Sequence, residues 1–195
     1  MNYEAVKTYM LDKLSRELPA HCFYHDFEHT TIVLEAVDIL ADGEAVTDPE
    51  IRSLLRTAAI FHDCGFFEQY LANEPVAARI AAEVLPAFGY SAEQIKFIER
   101  LILATALGTE PSDLYEQIIK DADFDYLGRE NYWETALKLK EEWAVMGKSI
   151  SMPDWIVLQQ KFLEGHHFYT STAQKLRGPG KANNLAMVKA MMNKQ

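Results

Sequence analysis

Thr47-Asp48-Pro49-Glu50-Ile51-Arg52-Ser53-Leu54-Leu55-Arg56-Thr57-Ala58-Ala59-Ile60-Phe61-His62-Asp63-Cys64-Gly65 is the stretch that decides the fold. Asp48 can cap a helix and Pro49 suits its first position, where a missing N–H costs nothing. Leu54, Leu55, Ala58 and Ala59 then recur at helical spacing, and Gly65 closes the segment. His62 falls in phase with Leu55, Ala58 and Ala59, so a polar imidazole extends an apolar stripe into the interior. Asp63 follows at the helix end.

The same period continues in both directions. Helices are expected over about Tyr3–Leu18, Glu28–Ala41, Pro75–Leu85, Ser112–Tyr126, Tyr132–Met146, Pro153–Gly165 and Tyr169–Leu176. One more opens at the capping box Ser91-Ala92-Glu93-Gln94. Gly178-Pro179-Gly180 is expected to break the chain before a short tail around Asn184–Met192. No run alternates like a strand, and no repeat, linker or heptad array is found. The reading is one all-α helical bundle over residues 1–195, with a core of about 20–130 and a C-terminal helical extension of about 131–195.

The composition agrees with a folded soluble chain. Of the residues, 49% are hydrophobic and 25% charged, which excludes disordered and collagen-like classes. The longest uncharged stretch is the ten residues Gly165–Gln174, far short of a bilayer span. Glu4 and Lys7 interrupt any secretory apolar region, so a cytoplasmic location without membrane contact is expected. The net charge of −10 disfavours a nucleic-acid polymer as partner but not a small phosphorylated one. Two cysteines, Cys22 and Cys64, make no disulfide framework, and Cys64 reads as packing.

Two further polar residues share the behaviour of His62. His29 precedes Ile32 and Val33 on the stripe Ile32, Val33, Ala36, Val37 and Leu40. Asp123 follows Ile119 by four residues on the edge of the stripe Ile118, Ile119, Ala122 and Tyr126. Asp121 stands about 200° away on the helix, so only one of the two is expected to face the interior, and the stripe favours Asp123. Taken singly, each has an ordinary reading, a satisfied core histidine or a helix-end carboxylate. Together, two imidazoles and two carboxylates in one core suit a divalent cation of the Zn, Mn, Fe or Co type.

His29, then Phe61-His62-Asp63-Cys64-Gly65, then Asp121-Ala122-Asp123 resemble the HD-domain superfamily of metal-dependent phosphohydrolases. The longer blocks Tyr24-His25-Asp26-Phe27-Glu28-His29, Asn73-Glu74-Pro75-Val76-Ala77-Ala78 and Asp121–Arg129 resemble its bacterial predicted HD phosphohydrolase branch, as does Phe168-Tyr169-Thr170, over about residues 20–185. The resemblance implies that His29, His62, Asp63 and Asp123 bind metal. Two-metal members carry added histidines where this chain has Asn73-Glu74 and Ala104–Gly108, so one divalent ion is expected, with Mn, Fe, Zn, Co and Mg not distinguished.

Such a site suits hydrolysis of a small phosphorylated substrate, a nucleotide monoester or diester by default, through a metal-activated water. Asp63 and Glu74 are the expected catalytic carboxylates, with Glu74 as proton acceptor; its alternative is a first-turn partner of the helix dipole. His25 would share a face with His29 if the helix reached back that far, and would then contact substrate or orient a ligand. Arg79, Lys120 and Arg129 read as surface charges before phosphate contacts. His166-His167 has no assigned role, and Tyr132, Trp133, Trp143 and Trp155 read as core. The second reading is a binding module that keeps the metal and a phosphate-bearing ligand with little or no turnover; the third is an acidic helical adaptor. A homodimer is left open.

Overall fold

The computed structural model describes residues 1–192. Among them are nine α-helices, three 3₁₀ turns and no strand. The helices are α1 (Tyr3–Glu17), α2 (Phe27–Gly43), α3 (Pro49–Phe61), α4 (Asn73–Val84), α5 (Ala92–Ala104), α6 (Leu114–Asp123), α7 (Tyr132–Val145), α8 (Met152–Gly165) and α9 (Ser171–Met192). The 3₁₀ turns are Cys64–Phe67, Leu85–Phe88 and Asp125–Gly128. None of the described helices is long and apolar enough to cross a membrane.

Local chemistry sets the helix starts. Asp48 accepts from the Glu50 and Ile51 amides at 2.8 and 3.3 Å, with Pro49 behind it. Ser91 and Gln94 form the reciprocal capping box. Asp26 caps α2 by accepting from the His29 amide at 2.8 Å. That cap starts α2 at Phe27, so His25 lies outside the helix and the helical alignment of His25 with His29 does not form.

The stripes meet as their spacing requires. α2 packs on α3 and α6, α3 on α5, and α4 on α5. Val33 and Val37, Leu55 and Ala58, Leu101 and Ile102, and Ile118 and Ile119 are buried in one continuous cluster. The extension joins the same cluster through Tyr132, Trp155, Leu163, Phe168 and Val188, so it covers the chain's own core.

The expected break at Gly178-Pro179-Gly180 does not occur, and α9 runs unbroken through Pro179. Pro179 sits on the exposed face, where the carbonyl of exposed Lys175, four residues earlier, can turn to water. The flanking glycines serve packing. A β-carbon at Gly180 would collide with the Gly128 carbonyl, and one at Gly128 with the Arg177 backbone. Polar ties secure this approach: Arg177 Nε donates to Asp125 at 2.6 Å, and Asn184 Nδ2 donates to the Leu127 and Arg129 carbonyls at 2.9 Å each.

Candidate metal centre

Two helix ends and one helix start bring the four residues together. His29 lies in the first turn of α2, held by the Asp26 cap. His62 follows the last residue of α3 and keeps helical angles, so its Nδ1–H donates to the Ala59 carbonyl at 2.8 Å. That bond aims Nε2 at the cluster, so that on losing its proton this nitrogen becomes the one free to bind metal. Asp63 leads into the turn Cys64–Phe67. Gly65 in that turn is required by space, because a β-carbon would strike the Asn73 carbonyl at the start of α4. Asp123 is the last residue of α6.

Their donor atoms converge. His29 Nε2 lies 3.2 Å from His62 Nε2, 3.2 Å from Asp123 Oδ1 and 3.3 Å from Asp63 Oδ2. His62 Nε2 lies 3.0 Å from Asp63 Oδ2 and 3.6 Å from Asp123 Oδ1. His29, His62 and Asp123 form the tight group, with donors all within 4.8 Å of one another, and Asp63 adjoins it through the two imidazoles. Donors about 2.1 Å from a common ion stand roughly 3.0 Å apart at right angles and 3.4 Å apart at tetrahedral angles, so the observed spacings fit one ion. Asp63 Oδ2 is buried with the two imidazole Nε2 atoms at 3.0 and 3.3 Å, so once those nitrogens give up their protons a cation is needed to satisfy it.

Without a cation the four groups pair with each other. Burial opposes charge on His29, but hydrogen bonds and attraction from Asp123 and Asp63 prevail and raise its pKa to about 9. His62 is raised well above its usual range by Asp63 and Asp123, again against burial. Burial would raise both carboxyls, yet the imidazoles hold Asp123 down to about 2 and Asp63 well below its ordinary value.

The cluster opens into a cavity of about 270 Å³ lined by Asp63, Asp123, His25, Asn73 and Glu74 on its polar side. Glu74 therefore stands where the sequence placed it, in the first turn of α4 beside the cluster. Asn73 is 8% exposed and its Oδ1 has no hydrogen-bond partner. His25 reaches the cavity from the loop: its ring stacks on Phe66 at 4.3 Å, and its Nδ1 lies 2.5 Å from Glu142 Oε1.

Glu142, on α7, is the residue that sequence reasoning missed. It is fully buried and accepts from the Tyr24 amide at 3.0 Å, the His25 amide at 3.2 Å and the Tyr70 hydroxyl at 2.7 Å. Burial pushes its carboxyl up, but His25, Tyr70 and the Tyr24 amide together hold it below the usual glutamate range. It follows Leu139 by three residues, so the phase argument that found Asp123 could have found it.

Asp121 corrects the expectation that only one of the pair is interior. It is 1% exposed, on another side of α6, where it accepts from the Tyr169 and Thr170 amides at 2.9 and 2.7 Å and from the Thr170 hydroxyl at 2.7 Å. Lys120 is also buried; its ammonium donates to the Ala104 and Ala106 carbonyls at 3.0 and 2.8 Å. Arg79 pairs with Glu68 and Glu83, and Arg129 with Asp125, so neither is free for phosphate. Cys64 is buried, its thiol pushed well above the usual range by burial. Tyr132 and Trp155 are core as read, but Trp143 is half-buried and lines the cavity.

The sequence model of the HD domain matches residues 26–124, just over half of the chain and all four clustered residues. The chain belongs to the HD-domain family, a superfamily of metal-dependent hydrolases. Two solved structures share the fold. A Lactobacillus plantarum protein is 20% identical, with a TM-score of 0.75 over 98% of this chain and 95% of that one. A predicted HD superfamily hydrolase from an uncultured Thermotogales bacterium is 18% identical, with a TM-score of 0.63 over 99% and 93%. No curated protein matches this sequence.

Proposed function

We propose that this protein is a phosphohydrolase that works with one divalent ion held by His29, His62, Asp63 and Asp123, on a small phosphorylated substrate such as a nucleotide. The observation that carries this reading is that Asp63 and Asp123 line the same cavity as Asn73 and Glu74. When bound, the ion supplies a nucleophilic water near neutral pH and offsets phosphoryl charge. Asn73, whose buried carboxamide oxygen has no partner, offers that acceptor to a hydroxyl or water of the ligand. Asn73 and Glu74 open α4, whose N-terminus has no side-chain cap, so its free amides favour an anion. Glu74 accepts the proton given up by the attacking water. Glu142 occupies His25 Nδ1, which leaves Nε2 to meet substrate, so His25 orients the ester. One ion rather than two is supported by the lining, where the only further imidazole among the described residues is His25.

Two free, buried cysteines suit a reducing cytoplasm. A binding module with little turnover is the second reading, favoured by the lack of any lysine or arginine in the described cavity lining. Metal analysis joined to a screen of phosphomonoesters and phosphodiesters, on wild type and Asp63→Ala, separates them. About one ion per chain with turnover lost in the variant is expected. Metal without turnover on any ester selects the binding module, and no metal after Mn or Zn is supplied refutes the centre.

A further inference from the structure

The half of the cavity away from the cluster is built differently. α7 contributes Leu139 and Trp143, and α8 contributes Leu158 and Phe162, each pair one helical turn apart. Phe124 and Tyr126 continue this surface towards Asp123, and all but Phe124 lie beyond the residues matched to the HD domain. Trp143 is fixed rather than loose. It stands edge-to-face on fully buried Trp155 with centroids 5.4 Å apart, and the Lys148 ammonium sits 3.7 Å from its ring centroid. A wall held this way loses little freedom when a flat group settles on it.

The charged lining is one-sided. Among the described residues, Asp63, Asp123 and Glu74 are the only carboxylates of the lining and no lysine or arginine joins them, while Lys120 and Lys161 line a separate cavity beyond Phe124 and Phe162. A second or third phosphoryl group would therefore meet no lysine or arginine in the lining itself, and Lys148, which abuts the wall, is engaged with the Trp143 ring. The volume, about 270 Å³, equals roughly nine waters, enough for one phosphoryl group and a ring system.

We propose that the α7–α8 wall seats a flat aromatic group of the substrate, making Trp143 a specificity residue for esters that join one phosphoryl group to an aromatic moiety. This rests on the phosphohydrolase reading for the phosphoryl end alone; the aromatic seat has its own readout.

The holoprotein is assayed with 1-naphthyl phosphate and glycerol 3-phosphate, and 1-naphthol binding is followed separately by saturation-transfer NMR. The naphthyl ester is expected to show the lower KM by about tenfold, roughly 1.4 kcal/mol. Trp143→Ala should raise the KM for the naphthyl ester until that advantage is gone, raise the KM for glycerol 3-phosphate by less, and abolish the naphthol signal. Leu158→Asn, on the facing helix, gives the same reading if Trp143→Ala does not fold. Trp143-dependent naphthol binding without turnover of either ester supports the seat while refuting the phosphohydrolase. Turnover of both esters at equal KM, with no naphthol signal, overturns the seat and leaves the phosphohydrolase standing.

Discussion

Glu142→Ala isolates the contact that joins the extension to the site. The substitution removes the acceptor for the Tyr24 and His25 amides, the Tyr70 hydroxyl and the His25 imidazole, in a place where the wild-type carboxylate is fully buried. Each orphaned buried donor costs about 1–3 kcal/mol, but water entering the vacated space rescues part of the sum. The expected loss is about 3–5 kcal/mol, the usual cost of removing one partner of a buried charged network. At about 2–4 °C per kcal/mol for a chain of this size, thermal unfolding should fall by roughly 6–20 °C. Glu142→Gln keeps one carbonyl acceptor and should lose about 1–2 kcal/mol. The carboxyl is depressed in the folded chain, so its stabilisation is present above the ordinary value of 4.5 and is lost as pH falls through the lower folded value. The gap between wild type and Glu142→Gln should therefore close on acidification below about pH 4.5. Because none of the clustered ligands touches Glu142, metal content should stay near wild type. Thermal melts across pH, with metal analysis on the same samples, test this. A loss under about 1 kcal/mol for Glu142→Ala, or metal lost along with stability, would refute the reasoning.

Three other expectations follow from single observations. Gly180→Ala should destabilise by about 1–3 kcal/mol through its collision with Gly128, while Gly178→Ala, with open space around it, should stabilise by about 0.5–1 kcal/mol; equal effects in urea unfolding would contradict the packing account. His29, raised to about 9, and His62, raised well above its ordinary range, are charged at pH 7 in the metal-free chain, so metal uptake should expel about two protons and tighten as pH rises towards 9. Calorimetry in buffers of different ionisation enthalpy reads this directly, and a heat independent of buffer would show the reasoning wrong. Burial raises the Cys22 thiol to about 12 and the Cys64 thiol further, so a thiol reagent at pH 8 should label neither in the native chain and both after denaturation; fast native labelling of Cys64 would contradict its packing role.

The candidate cluster was legible because three of its four residues are each marked by a separate helix, with Asp63 next to His62 at the end of α3. His29, His62 and Asp123 each extend an apolar stripe, and a stripe is a local property that the 3.6-residue period exposes. The segment Asp121–Asp125 shows where that logic stops. Asp121 holds the Tyr169 and Thr170 amides just before α9, Asp123 faces the imidazoles, and Asp125 holds Arg177 and Arg129. Asp121 and Asp125 are buried and Asp123 is partly so, because α6 is surrounded and ends in a 3₁₀ turn that redirects Asp125. One stripe reveals the side that packs on α2 and α3, but not the sides later covered by the extension. Lys120 was misjudged for a related reason, since its side of α6 is covered by carbonyls at and just beyond the end of α5. Gly178-Pro179-Gly180 misled differently: the sequence shows the local weakness of the segment, not the neighbouring Gly128 that a glycine there allows it to meet.

The extension thus does more than cover a core. α9 grips the turn Asp125–Gly128 that directly follows the Asp123 end of α6, so its anchorage bears on where Asp123 stands. α7 reaches the other side of the site, holding the loop of Tyr24 and His25 through Glu142 and presenting Trp143 to the cavity. The four clustered residues come from the matched region and answer to the helical period, which is why they can be read from the chain. What lies across the cavity from them comes from contacts more than a hundred residues apart, such as Glu142 with Tyr24. A shared centre combined with a separately built wall is the arrangement in which chemistry stays constant while the bound group changes, so the substrate of this chain has to be sought from the wall inward.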